Sequence, residues 1–186
     1  EGGIHGTVCS IPERLLREVY GLPFQAAIAE ENLRGVMPCY CSIGGEPVSA
    51  SEHLLTQILR QEMGFDGVAV ADYSAVSNVH HTQKLYETEA EAGLACLSAG
   101  MDVELPDTVC FNEEMKAMFA QGKADMALLD QAVRRVLRAK FRMGLFEHPF
   151  ALTGSALSEM VHHPEDELIT LQSALESLVL LKNDNH

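Results

Sequence analysis

The sequence is short of basic residues, has no tryptophan, and lacks any cysteine pattern that would build a disulfide scaffold. Thirteen Lys+Arg stand against 27 Asp+Glu, a formal net charge of −14. A nucleic-acid binder must neutralise phosphates with Lys and Arg, so this balance argues against that class. No apolar run approaches the roughly 18 residues of a membrane span. The five cysteines, Cys9, Cys39, Cys41, Cys96 and Cys110, are odd in number, scattered, and free of any C-x-x-C. Cys39 and Cys41 would share one face if they lay on a strand; the plainer reading is two small buried hydrophobes. Neither a G-x-G-x-x-G nor a Walker-type loop follows an expected strand, so nucleotide binding lacks its signal. There is no G-x-S-x-G elbow and Cys9 has no evident base partner, which leaves serine and cysteine nucleophiles unsupported. Glu1-Gly2-Gly3-Ile4 has no basic n-region and no apolar h-region, and the chain reads as the middle of a longer protein.

What is present is an ordinary globular composition. Of the 186 residues, 47% are hydrophobic and 22% charged. The pattern along the chain alternates between helix and strand. Ile11 to Glu31 is helical, with Ser10 as cap, Pro12 in the first turn and an interruption at Gly21-Leu22-Pro23. Gly35 to Cys41 reads as a buried strand closed by the turn Ile43–Pro47, with Pro38 removing one ladder donor. Ser51 caps a helix from Glu52 to Met63 whose Leu54, Leu55, Ile58 and Leu59 form one apolar face. Gly67-Val68-Ala69-Val70-Ala71-Asp72-Tyr73 reads as a strand covered on both faces, the mark of a parallel sheet. A helix from Thr88 to Ala99, a strand from Met101 to Leu105, and helices over Asn112–Gln121 and Asp125–Met143 follow. Strands recurring about every 33 residues between helices fit βαβ crossovers, in a doubly wound sheet or a (β/α)8 barrel. Past Phe150 the pattern changes, so a domain boundary is expected near residue 150. Pro164 to Glu176 is an amphipathic helix, and Leu178 to Leu181 resembles the first strand of a new domain.

Asp72 is the strongest candidate for chemistry. It closes an otherwise apolar strand, and in both parallel architectures active sites lie beyond the carboxyl ends of strands. A carboxylate there, beside Tyr73, suits a glycosidase nucleophile or a metal ligand; the alternative is a helix cap or an ion-pair partner. Tyr40 could hold a sugar hydroxyl while its ring packs on the sugar face, or simply sit at a rim. Asp72 and Glu104, on neighbouring strands, could in principle form a carboxylate pair. The adjacent histidines His80-His81 and His162-His163 lack the i, i+4 spacing of a helical metal site and read as loop or surface residues. The basic run Arg134, Arg135, Arg138, Lys140 and Arg142 reads as a solvated face suited to the helix dipole.

Several strings together resemble glycoside hydrolase family 3, the family of many β-glucosidases and β-xylosidases. They are Leu54-Leu55-Thr56-Gln57-Ile58-Leu59-Arg60, then Gly64-Phe65-Asp66-Gly67, then Val70-Ala71-Asp72-Tyr73. Val36-Met37-Pro38 with Tyr40, Ala99-Gly100-Met101-Asp102-Val103-Glu104, and Lys140-Phe141-Arg142-Met143-Gly144-Leu145-Phe146 follow the same order. The resemblance implies an α/β fold: the C-terminal portion of a (β/α)8 TIM-type barrel over residues 1–150, then over 151–186 the linker and first strand of a following α/β sandwich domain. It implies a retaining glycosidase that removes terminal β-linked glucose through a covalent glycosyl-enzyme on Asp72, held ionised by hydrogen bonds, with Met37, Tyr40 and Tyr73 approaching the substrate. Glu104 then becomes a barrel-end residue without an assigned role. The alternatives are a β-xylosidase or α-L-arabinofuranosidase of the same family, and a non-catalytic carbohydrate-binding relative. No cofactor or metal is implied. The expected partners are a small carbohydrate and the rest of the same enzyme, whose N-terminal barrel half and second domain, bearing the general acid, would complete the site; three strands cannot close a barrel. Two departures bear on substrate preference. Ala71 stands where the family usually has Ser, and Cys41 where it usually has Asn.

Overall fold

The computed structural model describes residues 6–161 and 163–184. The readings placed on residues 1–4 and on His162 therefore lie outside the described residues. The chain divides into two compact units, Glu1–Met143 and Gly144–His186.

The first unit is built on a parallel sheet of β2 (Gly35–Val36), β5 (Val68–Tyr73) and β6 (Val103–Leu105), in the order β2-β5-β6. Each parallel step needs a crossover, and helices supply it. A second small sheet joins β1 (Val8–Cys9) in parallel to β3 (Ser42–Ile43), which turns back through Gly44 and Gly45 onto β4 (Glu46–Pro47). Both turn glycines have positive φ, 63° and 90°, the backbone that a two-residue hairpin turn demands.

The helices follow the sequence closely in places. α1 (Glu13–Leu15) runs into a π-wound turn, Leu16–Tyr20, and the chain restarts after Gly21 as α2 (Leu22–Glu31). A kink or two helices were expected at Gly21-Leu22-Pro23; a cap from Ser10 was not found, because Pro12 occupies the cap position without a side-chain bond. The helix His53–Glu62 is π-wound and buries Leu55, Ile58 and Leu59, with the Ser51 hydroxyl accepting the Leu54 N–H at 3.2 Å. α3 (Ala75–His81) and α4 (Glu89–Ala99) follow β5. α4 opens on a reciprocal capping box between Thr88 and Glu91 and closes at Gly100 with φ 117°. α5 (Glu113–Ala120) and α6 (Met126–Arg142) complete the unit, capped by Asn112 and Asp125.

The core explains the spacing of small residues on β5. Ala69 and Ala71 are fully buried against Val76 and Val79 of α3, Ala92 and Cys96 of α4, Met101 and Cys110. Alanine lets both helices lie close to the strand. Gly93 permits a further approach: a Cβ there would stand 2.6 Å from the Cys110 carbonyl oxygen. Burying each Val side chain contributes roughly 1.5–3 kcal/mol.

One sequence expectation is corrected here. Gly35 to Cys41 is not one buried strand: β2 ends at Val36, and the chain bends at Tyr40 and Cys41. Pro38 denies the ladder a donor, and Met37 and Cys39 are exposed. In the second unit α7 (Gly154–Val161) and α8 (Pro164–Glu176) form, the latter over the expected residues, but Leu178 to Leu181 pairs with no strand among the described residues and is exposed.

Candidate active site

The carboxyl end of β5 is irregular, and that irregularity sets Asp72. β5 pairs with β6 at Val70↔Val103 and again at Tyr73↔Leu105. Between those pairs β5 has Ala71 and Asp72 where β6 has Glu104 alone, so one residue is extra. Such a bulge bends the strand and re-aims the side chain at the extra position. Ala71 points into the helix-packed core while Asp72 is only half-buried. The strand then ends through Ser74, whose φ of 66° is a left-handed conformation that a residue with a Cβ adopts at a cost.

Asp72 Oδ1 is buried and has no hydrogen-bond partner among the described residues. Tyr40 interacts with this carboxylate, and Oδ1 is the atom left without a donor among the described residues. Tyr40 stands next to it. Its hydroxyl donates to the Tyr73 carbonyl oxygen at 2.7 Å. Burial, followed by the neighbouring Asp72 carboxylate, pushes the Tyr40 phenol above its ordinary pKa. The loop holding Tyr40 is pinned from behind, since Gln83 Nε2 donates to the Tyr40 carbonyl at 3.0 Å.

Tyr40, Asp72 and Tyr73 thus meet at one strand end, with the Tyr73 side chain 73% exposed. Met37 does not join them. It lines a separate cleft of about 390 Å³ with Pro38, Cys39, Cys41 and Val36, whose walls include none of those three residues. Another cleft, of about 600 Å³, lies between α4, α5 and α6 and is lined by Leu97, Met115 and Phe119. Asp72 lines neither of these clefts.

Glu104 is committed elsewhere. Its carboxylate accepts the N–H of Cys110 at 3.0 Å and of Phe111 at 2.7 Å, folding the loop after β6 back on itself. Burial raises its pKa against those donors. A side chain so engaged anchors a loop, so the pairing of Asp72 with Glu104 as two catalytic carboxylates is set aside.

Sequence reasoning missed the group that holds β5 in place. Asp102 has a fully buried carboxylate that bridges Arg60 at 2.8 Å and Arg135 at 2.9 Å and accepts the Ala69 N–H at 2.9 Å. Arg60 also donates to the carbonyls of Gly67 and Gly100, both at 2.9 Å. One arginine thereby fixes the starts of two strands. Arg135 is correspondingly no member of a solvated face, and Arg142 pairs with Asp66 at 2.6 Å. The signal was an acid between Met101 and Val103 at the start of a buried strand, where a charge must find a partner. His80 and His81 have separate partners, the Tyr86 carbonyl and the Glu89 carboxylate. No group of three or more His, Cys, Asp or Glu suited to a metal occurs among the described residues.

Comparison with known proteins gives a consistent result. A family model described as the glycosyl hydrolase family 3 N-terminal domain matches residues 1–139. A β-xylosidase of Formosa agariphila is 36% identical over 99% of this chain and 26% of its own length. A lysosomal β-glucosidase of Dictyostelium discoideum is 33% identical over 97% of this chain and 22% of its own. The crystal structure of a β-glucosidase from Listeria innocua superposes with a TM-score of 0.86 at 31% identity, covering 100% of this chain and 25% of that one. The chain spans about a quarter of the length of the relatives it matches.

Proposed function

The chain belongs to glycosyl hydrolase family 3, and from that footing we propose that it carries the nucleophile of a retaining glycosidase acting on terminal β-linked glucosides. Asp72 is the nucleophile. It attacks the anomeric carbon, the leaving oxygen departs with a proton from a general acid, and a covalent glycosyl-enzyme results; water then breaks that bond. The general acid belongs to the second domain of the same enzyme. The observation that supports this reading best is the Asp72 carboxylate itself, half-buried at a strand's carboxyl end with one oxygen that has no hydrogen-bond donor among the described residues. A nucleophile needs that free lone pair.

Tyr40 and Tyr73 are substrate-binding residues beside it, and Met37, on the loop that carries Tyr40, approaches the sugar. In this reading β2, β5 and β6 are the last three strands of a (β/α)8 barrel over residues 1–150. Residues 151–186 are the linker and first strand of the following sandwich domain. The remaining strands of the full enzyme close the pocket around Asp72.

The test is Asp72→Ala in the full-length enzyme with aryl glycosides. The variant should lose turnover by about three orders of magnitude or more while sugar binding is largely kept. Turnover near the wild-type level would overturn the assignment, and would leave a non-catalytic carbohydrate-binding role. A β-xylosidase is the second reading, favoured by the xylosidase among the similar proteins. Relative rates on nitrophenyl glucoside and nitrophenyl xyloside separate the two.

A further inference from the structure

Cys39 and Cys41, on either side of Tyr40, are joined by Cys9 from a strand distant in sequence. The Sγ atoms of Cys39 and Cys41 are 3.0 Å apart, closer than two non-bonded sulfurs normally sit. Cys9, on the strand paired alongside Ile43, is near enough to act on the Cys41 thiol. The backbone between the pair is held at three successive carbonyls. The Cys39 carbonyl accepts the Ser49 hydroxyl at 3.5 Å, that of Tyr40 accepts Gln83 at 3.0 Å, and that of Cys41 accepts the Val48 N–H at 3.0 Å. The chain also bends at Tyr40 and Cys41, which turns the two side chains toward each other. Forming a bond of about 2.05 Å asks the sulfurs to close by only about 1 Å.

The two thiols differ in access. Cys39 is exposed and Cys41 half-buried, and burial followed by the neighbouring thiols pushes Cys41 up to about 12. The remaining cysteines of the core, Cys96 and Cys110, are wholly buried and raised by desolvation, which makes them inert.

We propose that Cys39 and Cys41 form an oxidation site at which hydrogen peroxide closes a reversible disulfide around Tyr40. The Cys39 thiolate attacks the peroxide O–O bond, giving a sulfenic acid and hydroxide, which takes up the proton the thiol released and leaves as water. The Cys41 sulfur then displaces the sulfenic hydroxyl, which departs with the Cys41 proton as a second water. Two thiols lose two electrons and the peroxide is reduced to two waters. A disulfide in so small and accessible a ring is readily reduced, which suits a reversible modification rather than a structural staple. The step needs no glycosidase activity and is independent of the reading of Asp72.

The test is thiol mapping of the full-length protein treated with a small excess of hydrogen peroxide, alkylated under native conditions and cut with chymotrypsin, which cleaves after Tyr40. The expected product is a pair of peptides joined through Cys39 and Cys41 that separates on reduction, with Cys96 and Cys110 unchanged. In Cys41→Ser, Cys39 should instead be trapped as a sulfenic acid by a dimedone-type probe. Alkylation of both Cys39 and Cys41 after peroxide, a disulfide from either to Cys9, or equal over-oxidation of Cys39 in wild type and Cys41→Ser would each overturn the proposal. Mapping the wild type alone decides the main point, whatever the folding of the variant.

Discussion

The Tyr40 hydroxyl is bonded to the main-chain oxygen of Tyr73, the residue that follows Asp72. The loop after β2 is thereby tied to the end of β5 across 33 residues of sequence. The bond positions the Tyr40 ring against the Asp72 carboxylate, and it restrains the bulged strand end that carries Asp72. Removing the hydroxyl alone should therefore disturb the site while leaving the core intact. Tyr40→Phe is expected to lower kcat/KM by about tenfold, with most of the loss in kcat. Steady-state kinetics on an aryl glycoside checks the value and its split.

The same contact has a titration signature. The Tyr40 phenol is raised by burial first and by the Asp72 carboxylate next. The Asp72 carboxylate opposes a second negative charge beside it. Neutralising that carboxylate in Asp72→Asn should let one tyrosine ionise at lower pH. A raised folded pKa contributes stability that is complete below the unfolded value, about 10, and fades as pH rises through the folded value. Ultraviolet difference titration of wild type against Asp72→Asn reads the shift; identical curves would mean the two groups do not interact.

Asp102 makes a stability prediction. Its carboxylate is buried between Arg60 and Arg135 and also accepts a backbone N–H. Removing one member of a buried ion pair leaves the other charged and unpaired, which costs about 3–5 kcal/mol. Asp102→Asn should lose stability in that range. Arg135→Ala should lose less, because that side chain is 20% exposed and water can replace part of its role. Urea denaturation of both variants, and of the double variant, measures the coupling.

These residues also mark where sequence reading stopped. Local signals were legible. Thr88 with Glu91 specified the start of α4 and Gly100 its end, Asn112 and Asp125 capped the next helices, and Gly21 broke the first. Asp72 stood out because one acid closed an apolar run, and it lies at the carboxyl end of β5, one residue before the last. What could not be read depends on distant partners. Asp102 meets Arg60 and Arg135 across 42 and 33 residues, and no periodicity encodes that. Only Gly35–Val36 of the apolar stretch Gly35 to Cys41 is strand, because Pro38 and the bend at Tyr40 decide the backbone beyond it. The bulge at Asp72 is likewise a property of pairing with β6, since a strand read alone has no register.

Gly67 shows the tightest of these tertiary constraints. A Cβ on it would lie 2.3 Å from the Arg34 carbonyl oxygen, the same oxygen that accepts the Val68 N–H at 3.0 Å. The obstacle is backbone, so it cannot rotate away. Gly67→Ala should force β2 and β5 apart and cost about 3 kcal/mol, whereas Gly45→Ala meets no atom within 4 Å and should cost only its left-handed φ. Thermal melts of the two variants give the contrast, and equal losses would refute the steric account.

Glu104 supplies a pH dependence with a defined sign. Burial lifts its pKa, and the N–H groups of Phe111 and Cys110 only partly offset that lift. With the folded value above the unfolded one, the neutral acid is the form that folding favours. Its contribution is therefore fully present below the unfolded value, about 4.3, and is lost as pH rises through the folded value. Gln has the shape of the neutral acid and does not titrate, so Glu104→Gln removes the dependence without emptying the site. The urea midpoint of wild type relative to Glu104→Gln should fall as pH rises from about 4. A midpoint difference that is flat with pH, or that rises, would mean the N–H donors dominate and the carboxylate is held ionised.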